Sequence, residues 1–505
     1  MTIRLSRRCF SRGSLVLAIA VMCLAGASNC NAQSCAGVSA TTTGSVTWSP
    51  QWCQEFNAAS PGPPDTTVWS FDLGNSGFGN NEVETYCGPP GIHGNPSQCP
   101  GAFSASTSNA YVDGQGHLLI RALNNGGSWT SARMKTQGLE NFQYGRIEAS
   151  IQLPDTTNQG LWPAFWTLGS NIDTTPWPRC GESDILEVWS AAVFGGPGPN
   201  GNRSTIHTAS TDGNGLQPNG NFSFANGAND TAFHAYGMIW SANMIQYYVD
   251  NPANPYYITT ASDLSSGDMW PFNLQFFLIM NLAVGGTLGG TPSASTPNPA
   301  TMMVDYVRQY QPSGTIAAPV LGNPPAITVK AGAATGNSSV FTPGLPSGTS
   351  YVYFSCSTNA PKASCSIATN DSLNSHVVNS SASEAVTVTI ATATNAVAVP
   401  YGTDPRPWLA GLIVAAFIAF LIFALDLRRR TSPPSKGWAM TAVLISAIAI
   451  AGCGGGSGSL TTPPSNSGTT PGNYTVTVYA FTESNTSDGT NAHADASVTI
   501  PLTVN

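Results

Sequence analysis

The feature that most narrows what this chain can fold into is a period of two. Ile147, Ala149, Ile151 and Leu153 alternate with Arg146, Glu148, Ser150 and Gln152, the pattern of a strand with one face in a core. Residues 111–123, YVDGQGHLLIRAL, carry a turn signal between two strand-like halves and read as a hairpin. No long segment between 45 and 310 shows the period that a helix needs. Strands that are apolar on one face must bury it against a second layer. The region therefore predicts an all-β fold, a two-sheet antiparallel sandwich.

Within that pattern, residues 181–189 read GESDILEVW and set Glu182, Asp184 and Glu187 in one apolar run. Alternation puts Glu182 and Asp184 on one face and turns Glu187 to the other. A β-bulge at Ile185 or Leu186 would insert one residue and return Glu187 to the shared face. Three acids on one face repel and raise each other's pKa. A structural role seldom asks for that, whereas glycosidic hydrolysis needs two carboxyls with separated pKa values. A solvated outer face explains the triplet poorly. Its neighbours are Ile185, Leu186, Val188 and Trp189, and the run GLWPAFWTLG at 160–169 lies just upstream. Three acids on one strand with no His beside them make a weak metal site.

These residues resemble glycoside hydrolase family 16, in its laminarinase-like (endo-β-1,3-glucanase) branch. The family's E-x-D-x-x-E signature stands as Glu182-Ser183-Asp184-Ile185-Leu186-Glu187. Further blocks match in the family's order: NNEVETY (80–86), YGRIEASIQLP (144–154), GLWPAFWTLG, FHAYGMIW with IQYYVDN (233–251), WPFNLQFFLIMNLAVGG (270–286) and MMVDYVRQYQ (302–311). Ser183 stands where the family usually carries an aliphatic residue, on the side that alternates away from a cleft.

The resemblance implies a jelly roll whose concave sheet forms the cleft. It implies endo-acting hydrolysis with retention, Glu182 serving as nucleophile and Glu187 as general acid, then base. Asp184 would hydrogen-bond Glu182 and keep Glu187 protonated, and catalysis would require no cofactor. Trp162 and Trp166, four apart and so on one strand face, are the expected sugar platforms. Asn81 and Arg146 are candidate partners for sugar hydroxyls, and His207 in STIHTAS is expected in the cleft near Glu187. A structural calcium is expected at Asp305, with Glu55. The expected substrate is β-1,3-glucan or mixed β-1,3-1,4-glucan. Agarase- or carrageenase-like galactan hydrolysis by the same mechanism, or a non-catalytic glucan-binding lectin, are the alternatives.

The 505 residues are 9% charged, with net charge −8, 52 Gly and 37 Pro. That profile suits a secreted, loop-rich β protein and argues against a nucleic-acid partner, which wants a basic patch. Arg4, Arg7, Arg8 and Arg12, an apolar stretch at 15–24 and small residues up to Ala32 read as a signal peptide over 1–32. Export makes disulfides permissible. Cys87 with Cys99 and Cys35 with Cys53 are the expected pairs in the catalytic region at 33–312, leaving Cys180 as a buried thiol. Cys356 and Cys365 are expected to close a loop further on.

Beyond a linker at 313–325, Val/Thr/Tyr runs over 326–400 suggest an immunoglobulin-like region. Similar runs return at 473–505 after a Gly/Ser/Thr/Pro linker at 454–472. Between them lie a transmembrane segment at 408–427, a basic loop at 428–437 and a second hydrophobic segment at 438–453. The positive-inside rule makes the basic loop cytoplasmic and places the catalytic region outside. Export to the cell surface with a membrane anchor is the expectation. Residues 450–453, IAGC, resemble a lipoprotein cleavage box.

Overall fold

Alternation along the chain is realised as two facing β-sheets. The structure is a computed structural model that describes residues 35–44, 46–209, 218–225, 231–264, 268–314, 317–334, 337–346, 351–393 and 468–505. The expected signal peptide, the expected membrane segments with their basic loop and the lipoprotein-like box lie outside the described residues. Among the described residues no helix is long and apolar enough to cross a membrane.

Seven strands form the sheet that carries the acidic triplet. They are β1 (Ser70–Asp72), β2 (Arg133–Lys135), β3 (Leu161–Gly169), β4 (Glu182–Glu187), β5 (Gly201–His207), β6 (Asn219–Ser223) and β7 (Phe276–Val284). Their spatial order is β6-β5-β4-β3-β7-β2-β1. An eleven-stranded sheet faces it, with Gly145–Gln152, His234–Ser241, Met244–Val249 and Ala300–Ser313 among its strands. Ile147, Ala149 and Ile151 of that sheet meet Leu161, Phe165, Ile185, Leu186 and Met280 of the first in one buried core. Each such side chain contributes about 1.5–3 kcal/mol by leaving water. Because alternate residues of β3 fill the core, Trp162, Ala164, Trp166 and Leu168 are turned to the opposite face of the sheet, which lines a cleft.

Residues 317–393 and 468–505 form a second two-sheet unit. A five-stranded sheet runs Ile327–Val329, Ala496–Val504, Gly472–Thr482, Tyr351–Thr358, Val377–Asn379. A three-stranded sheet of Ser338–Phe341, Val386–Thr392 and Ala363–Ala368 covers it around Val352, Phe354, Val388, Ile390, Val478 and Ile500. Runs that lie far apart in sequence are thus neighbours: Phe354 pairs with Ala480. Ala393 N–H donates to Thr469 Oγ1 at 3.0 Å, and Thr469 N–H donates back to Ala393 O at 3.2 Å. The described residues on either side of 394–467 thus end and resume side by side.

The second unit packs on the outer face of the eleven-stranded sheet. Met244 and Ile258 share an apolar cluster with Tyr351, Tyr353, Val377 and Phe481. Gln246 Nε2 donates to Glu483 Oε2 at 3.1 Å, and Asn374 Nδ2 donates to Asp263 Oδ2 at 2.6 Å. Cys35–Cys53, Cys87–Cys99 and Cys356–Cys365 form disulfides as expected. Cys180 is the free, buried cysteine among the described residues, and burial pushes its thiol up to about 11.

Candidate active site

β4 enters the sheet through Gly181, whose φ of +85° is left-handed. A Cβ there would come within 2.6 Å of Pro271 and 2.8 Å of Phe276. Only glycine takes that turn without strain at such close approach. Against β5, Asp184 faces Thr205 and Glu187 faces Arg203, so Ile185 and Leu186 together oppose a single residue. This is the bulge expected from the spacing. Ser183 points inward, its hydroxyl 2.6 Å from Tyr247 OH between the sheets. Glu182, Asp184 and Glu187 all line the cleft, whose volume is about 560 Å³.

Each glutamate meets an indole. Trp162 Nε1 donates to Glu187 Oε1 at 3.1 Å, and Trp177 Nε1 donates to Glu182 Oε2 at 3.1 Å. His207 Nε2 lies 3.1 Å from Asp184 Oδ2 and 3.5 Å from Glu182 Oε1. The histidine thus reaches the cleft on the Glu182 side, not beside Glu187 as its motif suggested, and it bridges the two acids. Glu182, Asp184 and His207 each offer a ligand atom within 4.8 Å of the others, a constellation that a proton or a cation would suit.

Burial pushes all three carboxyls up, because the charged form loses its hydration. Glu182 rises to about 8 through burial and then the nearby Asp184, while His207 opposes the rise. Glu187 also rises to about 8 through burial and Asp184, against His207, the Trp162 N–H and Arg203. Asp184, 3% exposed, is pushed well above the carboxylate range by burial. Three charges so close cannot all persist, so the triplet retains protons into the neutral range.

The remaining expected residues divide. Trp162 and Trp166 line the cleft; Trp166 Nε1 donates to Asn281 Oδ1 at 2.8 Å. Asn80 and Glu82 line it too, whereas Asn81 between them is exposed, with φ of +60°, and lies outside the lining. Arg146 is not in the cleft. It belongs to the eleven-stranded sheet, on the face away from the common core. There its guanidinium lies 4.0 Å over the Tyr310 ring, with Nε 3.5 Å from Glu148 Oε2.

The expected calcium ligands do not fit a cation. Both oxygens of Glu55 accept from Arg308, at 2.8 and 2.7 Å, and Asp305 is exposed. A guanidinium occupies the position of the positive charge.

Several residues in the cleft or directly behind it were not legible in the sequence. Arg133 is held by Asp72 at 2.9 Å and lies 4.8 Å over the Trp166 ring. Tyr86 OH donates to Glu82 Oε2 at 2.6 Å and accepts from Asn281 Nδ2 at 3.3 Å. Beside Glu82, Glu84 is pushed up to about 8 by burial and then by Glu82. Trp177, five residues before Glu182, was the one of these with a local signal: an aromatic beside the acidic motif.

The profile described as Glycosyl hydrolases family 16 matches residues 102–308. A β-glucanase of Rhodothermus marinus is 33% identical over 275 residues, covering 52% of this chain and 85% of that protein. A glucan endo-1,3-β-glucosidase of Cryptopygus antarcticus is 31% identical over 280 residues, covering 52% of this chain and 92% of that protein. The solved endo-β-1,3-glucanase of Pyrococcus furiosus is 31% identical, with a TM-score of 0.44 over 55% of this chain and 99% of that one. An identity above 30% across most of the length of both curated relatives places this chain in glycosyl hydrolase family 16.

Proposed function

We propose that the chain is an endo-acting, retaining glycoside hydrolase that cleaves β-1,3-glucan, mixed β-1,3-1,4-glucan included. The observation that carries this reading is the bulge that puts Glu182 and Glu187 on one cleft face with different charge partners. Glu182 faces the Trp177 N–H, His207 and the positive charge of Arg133, all of which favour its ionised form. Glu187 accepts from the Trp162 N–H and faces His207 and Arg203, and both carboxyls are pushed up to about 8. The division of roles between the two glutamates follows the resemblance of Glu182-Ser183-Asp184-Ile185-Leu186-Glu187 to the family's signature.

Glu182 attacks the anomeric carbon, the bond to the leaving oxygen breaks, and the Glu187 proton passes to that oxygen. Water then adds to the anomeric carbon, gives its proton to Glu187 and releases Glu182. Asp184 is in contact with His207, which also lies near Glu182, rather than bonded to Glu182 itself. Trp162 and Trp166 offer flat apolar surface to the C–H faces of sugars, and Arg133 and Asn281 offer hydroxyl partners.

The β-glucanase and endo-1,3-β-glucosidase names of the relatives favour glucan over galactan. Incubating the full chain with laminarin, lichenan, agarose and carrageenan and sizing the products tests this reading. Oligosaccharides from laminarin, alone or with lichenan, support it; products from galactans alone overturn the substrate. Binding of glucan without any product would instead make the chain a lectin.

Export to the cell surface is part of the same proposal, supported by residues 1–32 and by three disulfides among the described residues. The second unit, with its two facing sheets, is read as an immunoglobulin-like spacer. The bonded pair Ala393 and Thr469 favours an even number of membrane crossings between them.

A further inference from the structure

At the bulge that aims Glu187, three side chains gather around two backbone groups, Glu187 N–H and Ile185 O. Asn202, on β5, accepts from Glu187 N–H through Oδ1 at 3.1 Å. Its Nδ2 donates to Ile185 O at 3.0 Å and to Tyr256 OH at 2.9 Å. Ser204 Oγ donates to the same Ile185 O at 2.9 Å. Ser204 Oγ and Tyr256 OH are 2.5 Å apart.

Only one arrangement of protons satisfies this set. Asn202 has two N–H bonds, one for Ile185 O and one for Tyr256 OH. The single Ser204 proton goes to Ile185 O, so the Tyr256 proton must go to Ser204 Oγ. Each donor then has one acceptor, and the circuit closes on the two residues that flank Leu186. Asn202 and Ser204 are fully buried. Water cannot substitute for a lost member, and an unpaired buried group costs about 1–3 kcal/mol.

A bulge is otherwise a soft element, since the residues it inserts have no partner across the ladder. Were it to relax to regular pairing, Glu187 would turn into the core and a core residue would turn into the cleft. The circuit opposes that slip at the residue whose side-chain direction matters most. Tyr256 is further packed against Phe222, with ring centroids 5.4 Å apart, so the clamp is anchored outside β4 and β5.

We propose that Asn202, Ser204 and Tyr256 are positioning residues that clamp the Ile185–Leu186 bulge and so hold Glu187 in its proton-donating position. This rests on the reading of Glu187 as general acid, and it extends that reading to residues that touch no substrate.

The test compares two substrates on the full chain. Laminarin has a poor leaving group and needs the acid; a 2,4-dinitrophenyl β-laminaribioside has a good one and does not. Asn202→Ala should lower kcat on laminarin by about 10–100-fold, a part of the roughly 10²–10⁴-fold that general acid catalysis supplies. The aryl glycoside should fall several-fold less, and KM for laminarin should change little.

Tyr256→Phe, which keeps the ring and removes one hydroxyl, should show the same asymmetry at smaller size. Ser204→Thr, which keeps the hydroxyl, should restore most of what Ser204→Ala loses. Equal losses on both substrates, or no loss, in variants that melt cooperatively would overturn the clamp. Glu187→Gln is the control. If it shows the asymmetry and the clamp variants do not, the clamp fails and the general acid stands. If it shows none, the role of Glu187 fails and the clamp's part in acid catalysis fails with it.

Discussion

Trp162 donates its indole N–H to Glu187 Oε1 at 3.1 Å from the same face of β3 that presents Trp166 to the cleft. One side chain thus offers a surface for sugar and a hydrogen bond to the group proposed to protonate the leaving oxygen. A donor to a carboxylate favours its charged form, and this bond opposes the rise of the Glu187 pKa. Trp162→Phe keeps a ring and removes the donor. The alkaline limb of kcat/KM against pH should move upward, because Glu187 then holds its proton to higher pH. A limb that stays in place or moves down would show that Glu187 does not govern it.

Glu182→Gln and Glu187→Gln should each lose most activity on laminarin. The second should lose about 10²–10⁴-fold, the usual worth of a positioned acid. Added azide should accelerate Glu187→Gln on the dinitrophenyl glycoside, by attacking the glycosyl-enzyme that water can no longer reach with base assistance. Near-normal rates in either variant end the assignment of roles.

The raised carboxyls also set a pH dependence of stability. In the unfolded chain a glutamate ionises near pH 4.3, whereas Glu187 in the fold is pushed up to about 8. Below about pH 4 both states are protonated. As pH rises from there to about 8, the unfolded chain releases a proton that the fold retains, so stability falls. Glu187→Gln removes this term. Its melting temperature should exceed that of the parent at pH 7–8 and match it near pH 4. A difference independent of pH would exclude titration of Glu187 as the cause.

Arg146→Ala should behave as a core change and not as a loss of substrate contact. Its charge is 2% exposed and shares Glu148 with Tyr248 and Tyr310. Breaking such a buried pair costs about 3–5 kcal/mol. Denaturant unfolding should show that loss while KM for laminarin stays within about twofold. A raised KM at unchanged stability would return Arg146 to the cleft.

The bonded pair Ala393 and Thr469 bears on the expected membrane segments at 408–427 and 438–453. A chain that crossed a membrane once between them would have its ends on opposite faces and could not form that pair. Single cysteines placed in the basic loop at 428–437 and on the surface of the second unit should label from opposite sides of the membrane. Labelling from the same side would mean that the 408–427 and 438–453 segments do not cross.

Much of the cleft is written locally. The triplet Glu182, Asp184 and Glu187 with its odd spacing required a bulge, because a period of two admits no other way to bring all three to one face. Trp162 and Trp166 follow from the same alternation four residues apart. Period correctly turned Arg146 away from the core, but it cannot say which of two sheets carries the strand, so the expected contact of Arg146 with sugar did not follow from it. Both sheets have a core face and an outer face, and only the one with β4 opens on the substrate.

What the amino-acid sequence by itself determined is therefore the all-β class, the disulfide pairs, the acidic motif and the need for a bulge. Each is a relation between residues close in the chain or between cysteines few enough to pair by spacing. Tertiary structure decided the rest. It set Asn202, Ser204 and Tyr256 around the bulge, placed Arg133 beside Trp166, gave Glu55 to Arg308 and not to a cation, and joined Tyr351–Thr358 to Gly472–Thr482. These partners come from strands tens to more than a hundred residues apart. Their meeting depends on sheet order and register, which are fixed by the packing of the whole core and leave no periodic trace along the chain.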